Sequence, residues 1–311
     1  MELHILDVMN YIHAGTYSNA MIQRGVRESD GAYSANEAPI GGVRFLLRQI
    51  NLLSRNPDVV IMPVFDRPPT VKRRMYYETF GLEHGYKAGR KSKDACIGMQ
   101  ADYAEEVLRD MGFVVQCAEE YEADDIIHSL VQYYKNDYDH IYIHTKDSDL
   151  HYLVGPNVSI ETVGDKGKHI DMYNYTTACK KDEFMPYNTV HLRKLVSGDS
   201  SDNIPGIGQQ WAVLIDKVMK PDEYQKLGDL DFARKILRDA VAANPTQPGG
   251  HNVLRTFNIV CPLLVPYELI NDDEPMVNED KLAYYIHNWN EKEDVWGLED
   301  MLAEYIDSYY R

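Results

Sequence analysis

Two carboxylates beside a glycine-rich turn occur within Gly198-Asp199-Ser200-Ser201-Asp202-Asn203-Ile204-Pro205-Gly206-Ile207-Gly208. Such acids can hold a metal ion. Backbone N–H groups leading from a Gly-x-Gly turn into a helix N-terminus can hold phosphate, and glycine lets a nucleic-acid backbone approach closely. Upstream stand Glu122-Ala123-Asp124-Asp125 and Thr145-Lys146-Asp147-Ser148-Asp149, while Asp7 and Asp66 each close an apolar run. These five groups supply nine carboxylates: Asp7, Asp66, Glu122, Asp124, Asp125, Asp147, Asp149, Asp199 and Asp202. Gathered within a few ångströms, carboxylates raise one another's pKa unless cations compensate. An oxygen-only donor set without His or Cys suits magnesium or manganese rather than zinc, and two such ions suit in-line displacement at phosphorus. Taken singly, each aspartate also reads as a helix cap or a solvated loop acid.

A basic segment faces this acidic set. Between Arg67 and Lys93 there are eight bases, Arg67, Lys72, Arg73, Arg74, Lys87, Arg90, Lys91 and Lys93, against the acids Glu78 and Glu83. Interleaved Tyr76, Tyr77, Phe80 and Tyr86 suit stacking on unpaired bases while the cations meet phosphates, as in a single-strand channel. Gly81, Gly85 and Gly89 recur every four residues, so a helix there loses roughly 1 kcal/mol per glycine relative to alanine. The expectation is a segment that orders on substrate. The plainer reading is a solvated loop whose lysines serve solubility.

The elements that must position these residues follow from hydrophobic patterning. Leu3 to Val8, Val59 to Phe65, His140 to Thr145 and Val158 to Val163 read as short buried strands. Helical patterns over Gly42 to Arg55, about Ala95 to Met111, and Glu122 to Lys135 alternate with them, which predicts a doubly wound, mainly parallel α/β sheet. Asp7, Asp66, Asp147 and Asp149 then fall at strand C-terminal ends, where such sheets form their ligand crevice. The Glu-Ala-Asp-Asp run opens a helix, whose N-terminus tolerates negative charge. From about Tyr187 helices dominate: 187–197, 209–219, 232–243 and 279–287, with a breaker cluster at Asn244 to Gly250. The expected division is an α/β unit at 1–185 and a helical region at 186–311.

Composition narrows the class. The 311 residues are 44% apolar and 26% charged, as in a globular protein. The net charge of −17 is unfavourable for nucleic acid in general, yet residues 271–311 hold twelve acids and three bases, leaving −8 for the rest. With the nine site carboxylates set aside, the first 270 residues stand at +1. Tyr284, Trp289, Trp296 and Tyr305 suggest that this acidic end packs onto the body. The longest apolar run, Val59 to Phe65, is too short to span a bilayer, and no signal peptide is evident, so a cytoplasmic location is expected. Cys96, Cys117, Cys179 and Cys261 show no metal-binding or disulfide spacing. Gly164-Asp165-Lys166-Gly167-Lys168 lacks the spacing of a phosphate loop and reads as a hairpin turn.

The order Ile5-Leu6-Asp7 with Asn10, Val64-Phe65-Asp66 followed by Pro-Pro and bases, Tyr86-Lys87 with Arg90, Glu122-Ala123-Asp124-Asp125, Asp147-Ser148-Asp149 and the Gly198 to Gly208 motif resembles the 5′ nuclease family. That family comprises flap endonucleases, the 5′→3′ exonuclease domain of bacterial DNA polymerase I, and stand-alone phage exonucleases. The resemblance covers about residues 1–220. It implies a PIN-like (resolvase-like) α/β domain, a helical arch at about 67–94, and a helix-three-turn-helix module at about 187–220 that grips duplex DNA. It implies that the nine acids hold two magnesium ions, with manganese as a substitute, and that Lys87 and Arg90 contact the scissile phosphate. Arg67, Lys72, Arg73, Arg74, Tyr86, Lys91 and Lys93 would meet DNA at the arch. Ile204, Gly206, Ile207 and Gly208 match the duplex-binding turn, with a potassium ion there. Where relatives carry a lysine after the Gly-x-Gly turn, this chain has Gln209-Gln210-Trp211, which shifts duplex grip to backbone N–H groups and to Lys217 or Lys220.

The implied activity is hydrolysis of DNA with a 5′ flap, overhang or end, in replication or repair, by a monomer that needs no membrane. RNA primers paired to DNA are compatible substrates. Two other readings stay open: a non-catalytic nucleic-acid-binding protein on the same fold, and a PIN-type ribonuclease, though the latter typically lacks the Gly198 to Gly208 motif.

Overall fold

The computed structural model describes residues 1–16, 41–83, 85–89, 95–162, 169–170, 189–219, 230–270 and 276–290. Arg90, Lys91, Lys93, Lys220, Trp296, Tyr305 and the hairpin turn expected at 164–168 lie outside the described residues. The strands are β1 (Glu2–Asp7), β2 (Val59–Val64), β3 (His140–His144), β4 (Val158–Glu161) and β5 (His169–Ile170). They lie in the order β2-β1-β3-β4-β5, parallel except for β5, with Ile5 level with both Met62 and Ile143, and Ile143 level with Ile160.

The central strands are covered on both faces, which is why they read as continuous apolar runs rather than alternating ones. Leu3, Ile5, Ile141 and Ile143 join Ile126, Ile127 and Leu130 of α5 (Ala123–Tyr134). Leu6 belongs instead to a cluster built by α1 (Val8–Thr16), α2 (Gly41–Ser54) and α4 (Ala95–Asp110). Sequence patterning missed α1, which begins directly after Asp7, and α3 (Thr70–Phe80). The glycines expected to weaken the basic segment lie beyond α3. Gly81 ends it in the left-handed conformation at φ 69°, with its N–H bonded to the Tyr77 carbonyl.

The helical half contains α6 (Thr189–Ser197), the two-residue strands β6 (Gly198–Asp199) and β7 (Ile204–Pro205), α7 (Gln209–Val218), α8 (Leu230–Ala243), α9 (Gly250–Val260) and α10 (Glu279–Asn290). The breaker cluster does end α8, but its last glycine also starts α9, a helix the patterning missed. Leu195, Trp211, Leu237, Val253, Phe257 and Cys261 belong to the same apolar cluster as Leu3, Ile5 and Ile143, so one core runs from the sheet into the helices. At the chain's acidic end, α10 docks on α4 through buried Leu282 and Tyr285, and the Tyr285 hydroxyl donates to Asp110 Oδ2 at 2.6 Å. Tyr284, expected in this contact, is exposed. Among the described residues no helix is long and apolar enough to cross a membrane.

Trp211 is completely buried at the start of α7, with Nε1 donating to the Pro248 carbonyl at 3.0 Å. Trp211→Ala should therefore cost about 3–5 kcal/mol, and Trp211→Phe, which keeps most of the packing but not the hydrogen bond, nearer 1–2 kcal/mol. Urea denaturation of the three proteins measures both.

Candidate active site

At the C-terminal edge of the sheet, Asp7 is the last residue of β1 and only 4% exposed. Thr145 Oγ1 donates to its Oδ2 at 2.9 Å, and Asn10 Nδ2 donates to the same oxygen. Asp66, two residues past β2, accepts the Ala123 N–H at 2.8 Å, which ties it to the first turn of α5. Asp147 accepts the Asp149 N–H at 2.8 Å and so caps the short 3₁₀ turn Ser148–Leu153. Burial, reinforced by Asp66 and Asp147, pushes the Asp7 carboxyl up to about 7. Burial also raises Asp124 well above the ordinary carboxylate range, with Asp147, Asp7 and Asp66 adding repulsion. These four acids form one mutually repelling group.

The remaining five are bridged by lysines. Glu122 caps the N-terminus of α5, where Asp125 completes a reciprocal capping box. Buried Lys72 reaches Asp125 Oδ1 at 2.9 Å and Glu122 Oε2 at 3.3 Å. Lys87 pairs with Glu122 Oε1 and stands 3.9 Å from Asp202 Oδ2, while the Tyr86 hydroxyl lies 3.0 and 3.3 Å from these same two acids. Burial opposes ionisation of Glu122, but Lys72 and Lys87 outweigh it and hold the carboxyl down at about 2. Lys194 of α6 bridges Asp149 and Asp199, at 2.7 Å from the latter. Asp199 also accepts from Ser201 N and Oγ at 2.9 and 2.6 Å, and although its burial acts upward, Lys194 and Ser201 carry its pKa below the usual range.

The turn carrying Asp199 and Asp202 is held by backbone. Ile207 and Gly208 N–H groups donate to the Leu195 and Val196 carbonyls of α6 at 2.9 and 3.0 Å. A Cβ on Gly206 would lie 2.4 Å from the Val196 carbonyl oxygen, so only glycine fits there. The segment after α3 docks on the same turn. Lys87 N–H donates to the Asp202 carbonyl at 2.9 Å, Asn203 Nδ2 to the Gly85 carbonyl at 2.8 Å, and the Tyr76 hydroxyl to the Asn203 carbonyl at 2.8 Å.

Glu122, Asp124, Asp147, Asp149, Asp199 and Asp202 line one crevice, with Asp7 and Asp66 adding repulsion to Asp124 and Asp125 enclosed against Lys72, but several expected DNA contacts do not stand. Lys72 is 5% exposed and neutralises Glu122 and Asp125 instead of reaching solvent. Tyr86 and Tyr76 are buried against the acids and the turn, and Ile204 is buried beside them, so none offers a surface for DNA. Arg67 is half-buried, with its guanidinium bonded to Glu105 at 2.7 Å. Arg73, Arg74, Tyr77, Gly206, Gly208 and Lys217 are exposed, and Ile207 is half-buried. Sequence reasoning did not single out Lys194. Its only local signal is its place in the last helical turn before Asp199.

Nine carboxylates against Lys72, Lys87 and Lys194 leave six unbalanced if all are ionised. Among the described residues no three acidic, imidazole or thiol side chains are arranged to hold an ion in their present conformations. Lysines and backbone N–H groups take up many of their oxygens. The donor set is nonetheless all oxygen and short of positive charge, so hard divalent cations fit it.

Because burial raises the Asp7 pKa above its ordinary value of 3.8 in the folded protein, its contribution to stability is greatest below that value and is lost as pH rises toward 7. In metal-free buffer Asp7→Asn should raise the thermal midpoint at pH 7.5, and this gain should vanish near pH 4. Thermal melts in EDTA at the two pH values test this.

Residues 2–183, more than half of the chain, match the family model described as 5'-3' exonuclease, N-terminal resolvase-like domain. DNA polymerase I of Caldicellulosiruptor bescii is 30% identical over 239 residues, which is 75% of this chain and 27% of the polymerase. The 5'-3' exonuclease of Bacillus subtilis is 29% identical over 175 residues, 50% of this chain and 58% of that protein. The chain therefore spans only part of the length of both relatives. In fold it is similar to the bacteriophage T5 flap endonuclease solved as a pseudo-enzyme-product complex with DNA and metal ions, at TM-score 0.52 and 15% identity over the whole of both chains. It is likewise similar to human GEN1 in complex with Holliday junction DNA, at TM-score 0.51 and 16% identity, covering 98% of this chain and 71% of that one. With five acidic groups set around the parallel sheet edge and that match over its first 183 residues, the chain belongs to the 5'-3' exonuclease family with the N-terminal resolvase-like domain.

Proposed function

We propose that the chain is a magnesium-dependent 5′ nuclease that hydrolyses DNA phosphodiesters at 5′ ends and flap/duplex junctions. The observation that carries this reading is the crevice itself, lined by Glu122, Asp124, Asp147, Asp149, Asp199 and Asp202 together with Lys87 and Lys194, with Asp7 and Asp66 adding repulsion to Asp124. The names of the relatives, a DNA polymerase I and a 5'-3' exonuclease, support it, as does the solved flap endonuclease with DNA and metal ions.

Asp7, Asp66, Asp124 and Asp147 would hold one divalent ion and Asp149, Asp199 and Asp202 would share a second. Magnesium or manganese so held supplies activation of a water and stabilisation of the leaving 3′ oxygen. The chain's own residues prepare that chemistry. Thr145 and Asn10 orient Asp7, the Ala123 N–H orients Asp66, and the Tyr86 hydroxyl holds Glu122 and Asp202 together. Lys87, beside Tyr86 on the crevice wall, offers a positive charge to the phosphate undergoing attack. Exposed Arg73, Arg74 and Tyr77 suit the single-stranded 5′ end, while the Gly206 to Gly208 turn and Lys217 suit the duplex. RNA paired to DNA, a potassium ion at that turn, and a monomeric enzyme in the cytoplasm belong to the same proposal.

The decisive experiment is cleavage of a 5′-labelled duplex bearing a 5′ flap, with magnesium and with EDTA. Junction-proximal products should appear with magnesium only and be absent with Asp147→Ala, which should still bind the substrate. Lys87→Ala should lower kcat about 10²–10³-fold. Tight, structure-selective binding without any cleavage would overturn the nuclease reading in favour of a non-catalytic binder.

A further inference from the structure

Each lysine of the crevice touches two acids, but they are not equivalent. Lys72 is enclosed at 5% exposure and locked between Asp125 and Glu122, so it is part of the core. Lys87 stands on the turn that follows α3 and has a role toward phosphate in the proposed function. Lys194 has neither assignment. Its ammonium joins Asp149, which follows β3, to Asp199, which opens the turn after α6.

The surroundings of Lys194 separate a fixed backbone from a side chain with room to leave. One helical turn earlier, His191 is 1% exposed and meets the Tyr152 ring edge-on at 4.7 Å, and Leu195 beside it is fully buried. The carbonyls of Leu195 and Val196 are bonded to the turn. The helix is thus pinned on both sides of residue 194. The Lys194 side chain is itself 20% exposed and its partner Asp149 is 31% exposed, so the ammonium borders solvent.

We propose that Lys194 is a built-in counter-cation that positions Asp149 and Asp199 in the metal-free protein and competes with one divalent ion for them. This rests on the two-ion reading given above. A single ammonium between two carboxylates relieves their repulsion when no metal is present, and an incoming divalent ion must displace it. A monovalent ion, carrying no more charge than the lysine, gains little by that exchange. Lys194 therefore sets how much free divalent metal the crevice requires and discriminates against singly charged ions.

Calorimetric titration of the DNA-free protein with Mn²⁺ tests this without reference to cleavage. Lys194→Met keeps the length of the side chain and removes the charge; it should lower the thermal midpoint in EDTA yet tighten one Mn²⁺ site by about tenfold or more. Lys194→Arg keeps the charge and should stay near wild-type affinity. Lys194→Gln should reproduce the tightening if the methionine variant does not fold. Unchanged or weaker Mn²⁺ binding in the neutral variants, with normal binding by wild type, overturns the role of Lys194 alone. Absence of Mn²⁺ binding by wild type overturns the two-ion reading and this inference with it.

Discussion

The mutual repulsion of carboxylates at one edge of a parallel sheet is the constraint that organises this protein. Identical chemical groups a few residues apart behave in opposite ways. Asp7 and Asp124, where burial and acidic neighbours prevail, are pushed up; Glu122 and Asp199, bonded directly to ammonium groups, are held down. Such a split arises wherever burial and charge compete for the same acid. Neither a helix N-terminus nor three lysines balance the whole set, so the fold carries an electrostatic load that only a better-matched ligand would relieve. Function and stability pull against each other at this edge.

Much of the edge was legible beforehand because its cues are local. The first four strands are short apolar runs, two of them closed by Asp7 and Asp66, and they appear within one or two residues of where patterning puts them, while the two-residue β5, β6 and β7 are too short to leave a pattern. The Glu122 to Asp125 run opens α5 as its capping chemistry requires. What patterning missed depends on distant parts of the chain. Lys72 pairs with acids 50 and 53 residues away, so nothing near it distinguishes it from a solubilising lysine, and Lys194 joins distant Asp149 to Asp199 with only its place just before Asp199 as a local cue. Tyr76 and Tyr86 followed the same logic, since an aromatic among bases looks like a stacking platform until its hydroxyl is seen bonded inward. Patterning alone passed over α1, α3 and α9 because an aspartate, a proline pair and a glycine cluster at their starts resembled loop signals, although the family resemblance does imply a helical segment where α3 lies.

The departure after Gly208 also gains a physical account. Trp211 is wholly enclosed and bonded to the Pro248 carbonyl, and the Gln210 side chain meets Gln247 at 2.7 Å. The start of α7 is therefore joined to the α8–α9 connection by packing and neutral hydrogen bonds.

The docking of the segment after α3 onto the Asp202–Asn203 turn, together with the carbonyls of α6 that hold Ile207 and Gly208, makes Lys87, Asp199, Asp202 and the glycine turn one rigid body. For a nuclease of the proposed kind this body works as a caliper. One jaw would rest on the paired strand and the other on the bond to be cut. The position of incision would then be counted from where the duplex begins, and would stay the same whatever the length or sequence of the free 5′ end.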